Sequence, residues 1–124
     1  MVKIWVAAGI INLLTAFIHL IGGHFDPIIP FVSSDLTVIP KATLHAVWHM
    51  VTVMLFFSSS VLLYIGIKPN KYASKQIAAL LGTLYVLFSI VFIVVNIGYG
   101  FFKLPQWVLL FPVGVLSLYG ARKA

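Results

Sequence analysis

Four apolar stretches occupy most of this 124-residue chain, over about residues 4–21, 44–67, 77–99 and 105–119. A helix needs about 20 apolar residues to cross a hydrocarbon core of roughly 30 Å. The first three stretches are long enough. The fourth is shorter, with Pro105 suited to a first helical turn and Pro112 expected to kink the helix. Three spans with an interfacial fourth segment is the alternative, but Leu104 to Leu118 is almost wholly apolar. The expectation is all-α: a four-transmembrane-helix bundle that forms a single integral membrane domain over residues 1–124.

Composition agrees. Hydrophobic residues make up 62% of the chain and charged ones 8%, where a soluble domain carries roughly 25% charged. There is no Glu, and no Cys, which removes disulfides, thiolate metal sites and thiol catalysis. The net charge is +6. The basic residues stand singly at span ends, without the interleaved aromatics of a nucleic-acid surface, so no nucleic acid is expected. Lipid is the expected partner, and a bundle this small gains from self-association into a homo-oligomer, although no strong GxxxG specifies one. The first span is read as retained. It is flanked only by Lys3, interrupted by Asn12, Thr15 and His19, and followed by no small-x-small cleavage pattern.

Short-loop charges predict orientation. An N-in, C-in topology places Lys3, Lys68, Lys71, Lys75, Arg122 and Lys123 on the cytoplasmic side and leaves Lys41 and Lys103 outside. Trp5, Tyr64, Tyr72 and Tyr119 would then mark the inner interface, and Trp48, Tyr99 and Trp107 the outer one. The outer loop between helices 1 and 2, His24 to Thr43, is apolar and Pro-rich. Pro27, Pro30 and Pro40 argue against a continuous helix there, while Ser33, Ser34 and Asp35 suit the cap of a short helical turn.

All four histidines fall toward that outer side. His45 and His49 are four apart and share a helix face, which Thr52 continues inward. Asn12, Thr15 and His19 share a face of the first helix. Gly82, Tyr85, Ser89 and Asn96 stripe the third, with Tyr99 close by. Polar groups in spans usually face the bundle interior and mark a functional site. His19, His45 and His49 should therefore meet at one depth. His24 would fold back past Gly22-Gly23, and the loop carrying Asp26 and Asp35 would form a roof. Asn96, Tyr99 and Thr52 would support the pocket.

Neutral imidazole suits Zn, Cu or Fe, and acidic partners would orient the rings. Binding of a transition-metal ion is the leading expectation. Haem held between His19 and a second-helix histidine is less favoured, because only Lys41 and Lys103 are near enough to meet propionates. A proton-coupled or small-ligand carrier using the same pocket is an alternative. So is a structural or assembly subunit, in which the polar groups only bond helices together. Met50 and Met54 beside the histidine face suit soft copper, but more often fill packing gaps. Ser58, Ser59 and Ser60 lie at the other depth and read as small residues that permit close helix approach. No Ser–His–Asp arrangement is readable, so whether the protein is an enzyme, and which residues would be catalytic, stays open.

In size and span count the chain resembles small multidrug exporters. Those depend on a membrane-embedded Glu in the first helix, which this chain lacks. The run Ala42-Thr43-Leu44-His45-Ala46-Val47-Trp48-His49-Met50-Val51-Thr52 is similar to a Trp-His-x-x-Thr pattern after a Pro-rich loop in small uncharacterised bacterial membrane proteins. That resemblance covers the first two helices. It implies a four-helix fold in the bacterial inner (cytoplasmic) membrane and carries over no activity.

Overall fold

Hydrocarbon offers no water to pair with backbone N–H and C=O groups, so an apolar stretch of this length satisfies them within itself as a helix. A computed structural model describes residues 1–100 and 102–124. They form α1 (Lys3–Phe17), two wide π-helical turns (Ile18–Gly22 and His24–Ile28), α2 (Ile29–Val32), α3 (Val38–Ile67), α4 (Ala73–Tyr99) and α5 (Trp107–Lys123). Three segments are long and apolar enough to cross a membrane: Lys3–Val32, Val38–Ile67 and Ala73–Tyr99. Their length and composition make this a multi-pass membrane protein. The last helix, α5, has 17 residues, roughly 26 Å of rise.

The outer loop is more helical than its prolines predict. The helix breaks only at Asp26, whose φ of −150° and ψ of 112° are extended, as a residue preceding proline prefers. Pro27 then opens a new turn that runs on through Pro30. Pro40 is the third residue of α3, whose start at Val38 lies six residues earlier than expected. At these positions a missing N–H costs little, because the first four donors of a helix have no partner in it. Ser33 caps the end of the short helix α2, and Ser34 Oγ donates to Phe31 O at 2.6 Å. Lys41 Nζ donates to Val32 O at 3.1 Å and Ser34 O at 2.7 Å. A cation thus sits on the carbonyl end of α2, where the helix dipole favours it.

The long helices α1, α3, α4 and α5 alternate in direction, but packing does not follow chain order. α1 packs along α3 on one side and α5 on the other, and α5 packs along α4. α3 and α4, joined by a short turn, touch little. The α1–α5 seam is closed by Trp5, expected at the interface but only 1% exposed, whose Nε1 donates to Ser117 O at 3.2 Å.

The α4–α5 contact is backbone against backbone. A Cβ added at Gly82 would lie 2.9 Å from Gly114 O; one added at Gly114 would lie 2.9 Å from Val86 N and 3.0 Å from Gly82 O. Small residues let membrane helices approach this closely. Gly114→Leu should therefore lower thermal stability in detergent by about 1–3 kcal/mol through overpacking. Gly98→Ala is the control, since a Cβ there meets nothing within 4 Å. Equal melting of Gly114→Leu and the parent protein would contradict this packing.

Candidate functional site

Two polar centres occur in the bundle, at different depths. The deeper one joins three helices. Asn12 on α1 is fully buried, and its Nδ2 donates to Ser58 Oγ at 3.0 Å and Leu55 O at 3.2 Å on α3. Ser58 Oγ lies 2.6 Å from the hydroxyl of the fully buried Tyr85 on α4. With its own proton directed at Met54 O, 2.7 Å away, Ser58 accepts from both Asn12 and Tyr85. Asn12 Oδ1 is buried without a hydrogen-bond partner. Ser58 was legible only as a small residue. Its place three and six residues from Leu55 and Thr52, on the buried stripe of α3, is the signal that puts its hydroxyl inside.

The outer centre contains the histidines, which divide into separate environments. His19 stacks on Trp48, with ring centroids 4.0 Å apart and planes 12° from parallel. Its Nε2 donates to Trp48 O at 3.2 Å, and Thr52 Oγ1 donates to the same carbonyl at 3.2 Å. Trp48 reaches this position because Gly23 leaves room; a Cβ at Gly23 would overlap the indole. His19 is thus anchored to α3 through Trp48.

His45 and His49 form the other environment. His45 is half-buried and His49 exposed, and their Nε2 atoms face each other at 3.2 Å. The ring centroids are 5.0 Å apart and the planes tilted by 45°. An open apolar groove of about 500 Å³ begins at His49 and is lined by Ala46, Met50, Val53, Met54 and Phe57. A second, of about 270 Å³, places His45 beside Val32, Val38, Lys41 and Ala42.

The remaining expected contributors lie apart. His24 is exposed, edge-on to Phe25 at 5.6 Å, and Asp26 and Asp35 are exposed. The four imidazoles therefore do not share one centre. Among the described residues no three of His, Cys, Asp or Glu are grouped to hold a metal ion. Asn96 is buried as expected, but its amide is committed: Nδ2 donates to Leu104 O at 2.7 Å, and Oδ1 accepts from Leu104 N at 2.9 Å. It ties the end of α4 to the following turn. Tyr99 is 74% exposed.

Comparison with known protein families, with curated proteins and with solved structures finds no match.

The His19–Trp48 contact combines a stack with a hydrogen bond, and the two separate by substitution. His19→Ala loses both, at about 1–2 kcal/mol in total. His19→Phe keeps a ring over Trp48 and should recover more than half of that loss in a detergent melting experiment. Equal destabilisation by the two variants would show that stacking contributes nothing.

Proposed function

We propose that this protein binds a transition-metal ion through His45 and His49 near the outer end of the bundle. The observation that carries this reading is the 3.2 Å approach of their Nε2 atoms. Two imidazole nitrogens on one tetrahedral Zn, each at about 2.0–2.1 Å, lie about 3.3 Å apart. At this spacing the two nitrogens hydrogen-bond to each other, and loss of the shared proton would leave both lone pairs able to meet one ion. Zn, Cu and Fe are the ions that neutral imidazole favours. Two protein ligands leave coordination positions for water or an external ligand, so the centre is an open one. Haem fits less well, since Lys41, one of two cations available to propionates, is engaged with Val32 O and Ser34 O. The groove running inward from His49 favours a second reading, in which an apolar small molecule lies beside the pair and is carried or sensed.

In this reading α5 is the fourth span, and both termini face the cytoplasm with Lys3, Lys68, Lys71, Lys75, Arg122 and Lys123. The Trp48-His49-Met50-Val51-Thr52 resemblance makes the bacterial inner membrane the setting.

Elemental analysis of untagged protein purified without chelator tests the metal directly. The expected result is close to one metal per chain, lost in the double variant His45→Ala/His49→Ala and kept by His24→Ala. Unchanged metal content in the double variant would overturn the assignment. So would failure of the folded parent to take up Zn, Cu or Fe on titration. Binding of an apolar probe that persists in the double variant would favour the groove reading.

A further inference from the structure

Six of the eight basic residues gather at one end of the bundle, and both acids lie at the other. The helix packing brings this about. Val2 N donates to Gly66 O at 2.7 Å, which sets Lys3 beside the end of α3 and Lys68. Trp5 Nε1 on Ser117 O, with Gly120 against the indole, sets the last turn of α5, with Arg122 and Lys123, beside the first turn of α1. The antiparallel α4–α5 contact at Gly82 and Gly114 brings Lys75 level with that same turn. Lys71 lies in the turn that leads into α4, closed by Asn70 N donating to Ser74 Oγ at 2.8 Å. With Asp26 and Asp35 near the opposite end, no side chain of the protein neutralises this group. Five of the six are exposed and Lys75 is partly so.

Exposed tyrosines mark the same end. Tyr64, Tyr72 and Tyr119 ring it, and Lys123 Nζ lies 4.9 Å above the Tyr119 ring. Amphipathic rings of this kind settle at the headgroup level, which puts the cations among headgroup phosphates. We propose that this end is a binding surface for anionic phospholipid headgroups. Lys3, Lys75, Arg122 and Lys123 hold phosphodiester groups where α1, α4 and α5 converge. Arg122 supplies the forked donor geometry that phosphate favours. Each cation near an anionic leaflet raises lipid association about fivefold.

The test is lipid retention. Protein reconstituted in equal parts phosphatidylcholine and phosphatidylglycerol is extracted into mild detergent, and the lipids that stay bound are counted by native mass spectrometry. Phosphatidylglycerol should exceed phosphatidylcholine by at least about tenfold, since about fivefold per cation compounds over the four. The excess should fall as NaCl is raised through the range that screens surface charge. It should be largely lost in the variant Lys3→Gln/Lys75→Gln/Arg122→Gln/Lys123→Gln and kept in Lys41→Gln/Lys103→Gln. No preference in the parent protein would overturn the proposal, as would a preference that high salt leaves unchanged. Displacement of the bound lipid by inorganic phosphate or by a short oligonucleotide at equal concentration would also overturn it, by assigning the surface to a soluble anion. The salt series uses only the parent protein, so it decides the matter even if the quadruple variant does not fold.

Discussion

A polar group placed in hydrocarbon has no water to pair with, and the need for partners inside the protein organises this structure. The backbone meets it by forming helices. Most hydroxyls meet it locally, by bonding back to the carbonyl one turn earlier, as Thr15 does to Ile11 O and Ser89 to Tyr85 O. A few side chains reach across to another helix: Asn12 and Tyr85 to Ser58, Trp5 to Ser117 O, and His19 to Trp48 O. Such bonds average only about 0.6 kcal/mol each in membranes. Their larger effect is to fix the rotation and depth of one helix against the next. His45 and His49 bond to each other on the same helix, α3.

The packing order explains why that pair is open. α1, set between α3 and α5, holds the bundle together, while α3 and α4 touch little, although Ser58 and Tyr85 bond across them. One face of α3 is left without a neighbouring helix, and Met50, Val53 and Phe57 on it are each 68% exposed. His49 lies at the head of that face. This arrangement presents the histidine pair at the edge of the bundle, where a metal or a small molecule can reach it. The charge distribution adds a second asymmetry, with the histidines and acids at one end and six cations at the other.

The spans were legible because twenty-residue apolar runs admit few interpretations. So was the inward direction of Asn12, Thr15, Thr52, Tyr85, Ser89 and Asn96, all of which are buried. The sequence did not show what each polar group bonds to. Asn96 had the spacing of a pocket residue, but the turn after α4 brings Leu104 within reach of both ends of its amide. His19 had the right depth to join His45 and His49, but Trp48 lies one position before His49 and, admitted by Gly23, takes its ring face and its proton. Proline between residues 27 and 40 argued for irregular chain. Three of those prolines fall at helix starts, where the missing donor does no harm. In each case helical periodicity gives the face, while the partner depends on a neighbouring element whose approach periodicity does not encode.

The proposed centre consists of two imidazoles, and only two, sharing one ion. Pulsed electron paramagnetic resonance of Cu(II)-loaded protein counts coordinated imidazoles through their remote nitrogens. Two per copper are predicted, falling to none in His45→Ala/His49→Ala with His19 and His24 intact. Three or four imidazoles on one copper, or a signal that survives the double substitution, would contradict it.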